Sequence, residues 1–344
     1  MRKSIKQFLS ILTAATLLAG ILTGCGDQPS NSSASNAGSN SSGNTTQLDY
    51  PTKNIDLVVT FAAGGGNDVL ARAVAGSIDL PTTMTVTNIE GGSGTIGAME
   101  VVNADPDGYT LLLHSGESLI SQYCSGVVSE PIHEELTLVA NLAYDYEALM
   151  ISSANKNFNT LEGLIDYAKA NPGKVNIAGA GSRGRIEAVV LDIIDALGID
   201  ANYVSYDSAS KCRTAVMGGH VDAVFTQIAT EVGYIESGEL LPLAVTAEER
   251  VPVLGDNCVT FKEMGYNIIS GMTRSIWAPK ETPQEILDYL SGQIETLFND
   301  QTFLDTLEGQ LHYNAAYLGA ANAAAYYADM TPEIERIMQN MLNG

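Results

Sequence analysis

Apolar runs of strand length alternate with segments whose apolar residues recur at helical spacing, the pattern of layered α/β folds rather than of sandwiches or bundles. Ile55–Phe61 is the first such run. Gly64-Gly65-Gly66 breaks it, and Asn67 or Asp68 is expected to cap a helix whose Val69, Leu70, Ala73, Val74 and Ile78 fall at helical intervals. The arrangement recurs at Thr85–Asn88, followed by Gly91-Gly92-Ser93-Gly94 and a helix starting at Thr95 or Ile96. A buried strand is predicted over Tyr109–His114, a crossover over Leu136–Tyr144, and a helix over Leu161–Ala170 that Asn171-Pro172-Gly173 stops. Lys174–Ala178 then runs into Gly179-Ala180-Gly181-Ser182-Arg183-Gly184 and a helix over Arg185–Leu197. Strand, glycine turn and helix thus occur three times, and a parallel sheet would place every such turn at its carboxyl edge.

The chain before the first strand has a different character. Arg2, Lys3 and Lys6 precede an apolar run from Phe8 to Leu22, and Leu22-Thr23-Gly24-Cys25 closes it with small residues and a thiol. Residues 1–24 are therefore expected to be a lipoprotein signal peptide, with Cys25 the lipidated mature N-terminus. An uncleaved anchor is the alternative, but the run falls short of the ~20 residues that a spanning helix needs. Residues 25–47, rich in Ser, Asn and Gly, bury too little apolar surface to offset ordering and are expected to form a disordered tether. Such a protein works outside the cytoplasm, tied to the periplasmic side or outer face of the cell membrane. The remainder, residues 48–344, suffices for two domains and hence a cleft. Loss of Arg2, Lys3 and Lys6 with the signal takes the net charge from −23 to about −26, which argues against nucleic acid or an anionic membrane surface as partner. Cys124, Cys212 and Cys258 allow at most one intrachain disulfide and lack metal-ligand spacing, so buried free thiols are expected.

In so acidic a chain an anion must be held locally. A helix N-terminus carries unpaired N–H groups and about half a positive charge, and a glycine turn lets a carboxylate or phosphate approach them. A glycine turn by itself serves more often just to reverse the chain; two in one half of the chain and one in the other strengthen the case for a shared site. Nucleotide binding fits poorly, because no glycine run continues into Gly-Lys-Ser or Gly-Lys-Thr and none reads G-x-G-x-x-G. Catalysis fits no better. His114, His133, His220 and His312 lack metal-ligand spacing and no serine sits in G-x-S-x-G, so the residues call for no metal, no cofactor and no enzyme activity.

Beyond these patterns, several segments carry a specific resemblance. They are Tyr50-Pro51-Thr52-Lys53 leading to Phe61-Ala62-Ala63-Gly64-Gly65-Gly66-Asn67-Asp68, then Asn88 with Gly91 to Gly97, and Pro106-Asp107-Gly108-Tyr109-Thr110-Leu111-Leu112. Ala170-Asn171-Pro172-Gly173-Lys174-Val175, Gly218-Gly219-His220-Val221-Asp222-Ala223, Leu243-Ala244-Val245-Thr246, Ala278-Pro279 and Thr282-Pro283 follow in order. The chain resembles the tripartite tricarboxylate transporter substrate-binding proteins, or Bug receptors, over nearly all of its length after the tether. The resemblance implies a type II periplasmic-binding-protein-like α/β fold, with lobe 1 from residues 48–141 plus 271–344, lobe 2 from 142–270, and two crossover strands at the hinge. It also implies a monomeric receptor that takes a small carboxylate, a di- or tricarboxylate or related organic acid, and delivers it to a membrane permease.

Cleft positions implied by the resemblance are Ala63, Gly64, Gly65, Gly66 and Asp68 in the first turn, Gly92, Ser93 and Gly94 in the second, and Gly181, Ser182, Arg183, Gly184 and Arg185 in the third. Ser115, Gly116, Tyr206, Asp207, Thr226, Gln227, Thr273 and Arg274 are further candidates. This chain departs from the family pattern at Arg185, at Ile186-Glu187, at Asp207 and at Arg274. A guanidinium binds carboxylate bidentately, so Arg185 and Arg274, with Arg183, are candidates for charged contacts; pairing with nearby acids is the competing role. Asp207 either balances an arginine or meets a ligand ammonium, which would point to an amino acid, and Tyr206 either walls the cleft or simply packs. A sensory subunit reporting the same ligand to a signalling partner is the rival function.

Overall fold

The computed structural model describes residues 48–343. Strand and helix alternate first through β1 (Ile55–Val59), α1 (Gly66–Ser77), β2 (Met84–Asn88), α2 (Thr95–Val102), β3 (Thr110–His114) and α3 (Gly116–Cys124). β4 (Leu136–Ser152) leads into α4 (Leu161–Ala170), β5 (Val175–Ala180), α5 (Arg185–Leu197), β6 (Ala201–Tyr206), α6 (Ala209–Met217), β7 (Ala223–Gln227), α7 (Val232–Glu236), β8 (Leu240–Val245) and β9 (Val259–Thr260). The chain returns through β10 (Gly271–Pro279) and finishes with α8 (Gln284–Leu297), α9 (Gln301–Leu304), β11 (Asn314–Gly319) and α10 (Ala320–Asn343). The expected signal peptide, Cys25 and the expected tether lie outside the described residues.

α4 and α5 occupy the predicted spans, because Thr160 caps the first through the Gly163 N–H and Gly198, at φ 60°, ends the second. The predicted crossover is longer than its pattern suggested. Beyond Tyr144 the strand continues to Ser152, since Glu147–Met150 pair with β7 and Ala148–Ser152 with β8.

Two parallel sets of strands share one sheet. β1 lies between β2 and β3, and β5 between β6 and β7. β3 and β4 both run antiparallel to β10, so they point the same way, whereas β7 runs antiparallel to β4. The two parallel sets therefore point in opposite directions along β4. β10 covers β4 from Leu136 to Tyr146 and β7 takes over at Glu147, so the two carboxyl edges confront one another across the middle of that strand.

Burial follows the period-two alternation of a sheet covered on both faces. Val58 and Leu112 join one apolar cluster, while Leu57, Val59, Leu111 and Leu113 join another on the opposite face. The first cluster runs into the second parallel set through Ile177, Val189 and Ile193, and α10 adds Ala323, Tyr327, Ile334 and Met338 at helical spacing. Cys212 and Cys258 are buried, Cys124 is half-buried, and all three are free thiols.

Where the sets meet, the interior carries charge. Glu147 of β4 is fully buried and pairs with Arg185, whose Nη1 also donates to Ser270 Oγ at 2.9 Å. Two residues earlier Asp145 accepts from Arg274 Nη2 at 2.9 Å, again with both side chains buried. Removing one partner of such a pair leaves an uncompensated buried charge, so Glu147→Ala is expected to lower the unfolding free energy by about 3–5 kcal/mol in a denaturant titration. A loss below about 1 kcal/mol, the scale of an exposed pair, would contradict the burial.

Candidate functional site

The first and third glycine turns share one construction. Gly64, at φ 82°, precedes the N-cap Gly65, and its N–H donates at 2.8 Å to Asp68, the third residue of α1. Arg183, at φ 55°, precedes the N-cap Gly184, and its N–H donates to Glu187, the third residue of α5. In each turn the carboxylate reaches back to hold the amide before the cap. Asp68 therefore sits inside the helix, and neither it nor Asn67 is the cap that the sequence suggested. A glycine cap without an oxygen side chain leaves the first helical amides unanswered. Among the described residues, no acceptor meets the N–H groups of Gly66, Asn67 and Asp68 in α1, nor those of Arg185, Ile186 and Glu187 in α5.

Several other helices are closed by a side chain, although α7 and α8 are not. Ser115, Thr160 and Ser208 accept from the first turns of α3, α4 and α6. The second glycine turn closes on itself, with the Gly94 N–H on Gly91 O at 2.9 Å and the Thr95 N–H on Gly92 O. Thr60, Phe61, Ala62, Gly65, Glu90, Gly91 and Gly94 line a hollow of about 380 Å³ between the first two turns, within the usual span of small-ligand sites. Gly92 and Ser93 belong to the same turn, and Ala63, Gly64 and Gly66 beside the hollow are exposed. Gly181, Ser182 and Arg183 are exposed on the opposing edge and do not line it.

Electrostatics separates the candidates. Hydrogen bonds from Arg72 hold the Asp68 carboxyl down to about 2, against its burial, with help from the Gly64 N–H and Asn88. Burial pushes the Asp145 carboxyl up to about 6, against the pull of Arg274 and the Ala229 N–H. Arg185 and Arg274 have buried carboxylate partners, and the Arg274 guanidinium also lies 4.8 Å from the Tyr313 ring centroid. Among the described residues, Arg183 of the third turn has no ion-pair partner. Asp207 is exposed and paired with Lys211 one turn along.

The remaining candidates are divided between structure and opening. Ser115 Oγ donates to Glu117, and the Tyr327 ring fills the space a side chain would need at Gly116. Thr273 gives its amide and its hydroxyl to Glu117, so these three positions tie α3 to β10. Tyr206 is half-buried and its carbonyl accepts the Gly181 N–H, Gln227 donates to the Met272 sulfur, and Thr226 has a buried hydroxyl without a partner. Sequence patterns did not single out Glu147, Asp145, Glu117 or Tyr313 as partners. Tyr313 matters most among them, because its hydroxyl backs Gly66 where any side chain would collide with it.

An α/β scaffold whose strand ends confront one another, with free helix amides on both edges, is compatible with a solute-binding protein, the class to which its relatives belong. Residues 70–341 match the family described as "Tripartite tricarboxylate transporter family receptor", and the chain belongs to that family. A relative from Agrobacterium vitis, "UPF0065 protein in the TAR-I ttuE-ttuC' intergenic region", is 30% identical over 75% of this chain and 75% of its own. The crystal structure of a TctC solute binding protein from Polaromonas is 28% identical, covers 85% of this chain and 99% of its own, and superposes with a TM-score of 0.74. MatC from Rhodopseudomonas palustris, solved with bound malate, is 24% identical over 85% of this chain and 99% of its own, with a TM-score of 0.66, and shares the fold. The family consists of extracytoplasmic solute-binding receptors, not enzymes.

Because the Asp68 carboxyl lies below its ordinary value of 3.8, the stability it contributes is complete above that value and is lost as pH falls toward 2. The stability gap between the natural chain and Asp68→Asn, followed by circular dichroism, is expected to be widest above about pH 4 and to close toward pH 2. A gap that stays constant through that window would contradict the Arg72–Asp68–Gly64 arrangement.

Proposed function

We propose that this chain captures a small organic acid outside the cytoplasm and delivers it to the permease of a tripartite tricarboxylate-type transporter. The observation that carries the proposal is the pair of glycine-capped helices, α1 and α5, whose free amides stand on confronting sheet edges, those of α1 beside a hollow of about 380 Å³. The first carboxylate rests on the α1 amides, and closure brings the α5 amides onto the same ligand. The lobes that move are residues 48–141 with 271–344, and residues 142–270, with β4 and β10 as the crossovers. Malate bound to MatC supports a small dicarboxylate as the ligand class. Lipidation at Cys25, within Leu22-Thr23-Gly24-Cys25, holds the receptor at the membrane. Metabolic labelling with a fatty acid tests this point, and equal labelling of Cys25→Ala would exclude it.

Calorimetry and thermal shift against malate, succinate and citrate are expected to find at least one acid that binds and raises the melting temperature. Asn67→Pro then removes one free α1 amide within the first turn, where no helix bond is lost. Affinity for that acid is expected to fall about tenfold or more, the scale of a hydrogen bond to a charged group. Binding of none of the three would remove the receptor proposal, and unchanged affinity in Asn67→Pro would remove the main-chain contact.

A further inference from the structure

His114 ends β3 directly behind the hollow. Its Nδ1 lies 3.3 Å from Thr60 Oγ1, its ring centroid stands 5.6 Å from that of Phe61, and its carbonyl accepts from Trp277 Nε1 at 3.1 Å. The other ring nitrogen, Nε2, is buried without a partner. That edge of the ring lies against Gly94, where an added Cβ would stand 3.1 Å from Cε1 and 3.2 Å from Nε2. Thr60 and Gly94 both line the hollow, so only a hydroxyl and a bare glycine separate the imidazole from whatever the hollow holds.

The groups around the ring leave this spot sensitive to an arriving charge. Thr60 and Phe61 of the loop after β1 and Gly94 before α2 are uncharged, while β10 contributes Arg274, paired with Asp145 of β4. Glu117, three residues along, is taken up by Ser115, Thr273 and Tyr326. Glu90 lines the hollow itself. Burial, and secondarily the Arg274 charge, lower the His114 imidazole to about 4, which keeps it neutral in the empty site.

With the receptor reading as premise, we infer that His114 is a specificity-determining residue beneath the hollow: a net-anionic carboxylate bound there draws a proton onto its imidazole. The ligand's negative charge offsets the Arg274 field in a region of low dielectric, where an opposite charge within about 4–6 Å raises an imidazole by one to three pH units. Binding is thereby linked to proton uptake, and the site favours acids of net negative charge over zwitterions, whose ammonium group cancels the field.

Calorimetry with malate on the natural chain and on His114→Gln, at about pH 7.5 and about pH 5, tests the linkage, because malate's own ionisation cancels in the ratio of the two dissociation constants. That ratio is expected to shift about tenfold toward tighter binding by the natural chain at the lower pH. A ratio independent of pH would overturn the inference and leave the receptor function standing. Should His114→Gln not fold, the ring-proton NMR titration of His114 in the natural chain decides: its midpoint rises on adding malate, and an unmoved midpoint overturns the linkage. Failure of malate, succinate and citrate alike to bind at either pH would overturn the receptor function and the linkage together.

Discussion

Glu147 and Asp145 lie in the middle of β4, buried where two oppositely directed sets of strands meet, and a buried carboxylate persists only if a cation and hydrogen bonds answer it. Arg185 and Arg274 are those cations, reaching β4 from α5 and β10. Arg185 is also the first residue of α5, so neutralising Glu147 fixes the start of the helix whose amides stand free on the third turn. Arg274 likewise stands over Tyr313, whose hydroxyl backs Gly66 in the first turn. Both donor edges are thus tied through their arginines to one strand.

On the proposed function, charge balance decides how an anion is held. The chain carries a net charge of −23, and its two best-placed guanidiniums are committed to internal carboxylates. Besides the unpaired Arg183, main-chain amides remain, and they suit the task because they are fixed by the helix, bring no side-chain entropy to be lost, and carry the positive end of the helix dipole. Asp68 and Glu187 fit the same scheme. Each holds the amide before its N-cap, which keeps the turn open in the shape that exposes the next three donors.

The three turns and their helices were legible because glycine runs interrupt a strong apolar period, and α4 and α5 fall on the predicted residues. Partnership across the chain was not. Arg185 finds Glu147 and Arg274 finds Asp145 across 38 and 129 residues, through a sheet reversal that no local pattern encodes. Asp68 shows a subtler limit. An acid near a helix start reads as a cap from spacing, yet the positive φ of Gly64 moves the cap to Gly65 and turns the acid into a brace for the preceding amide. Ser115 and Gly116 follow a strand as ligand contacts do, but Glu117 and Tyr327 draw them into the packing between α3 and α10.

A crystal structure of the chain with its bound acid tests most directly whether main-chain amides grip the ligand. The expected result places a carboxylate oxygen about 2.7–2.9 Å from the Gly66 or Asn67 nitrogen, with a second contact from the first turn of α5 and with Arg185 still on Glu147 and Arg274 still on Asp145. A carboxylate seated on either guanidinium, with its ion pair on β4 broken and the helix amides facing only solvent, would contradict the account.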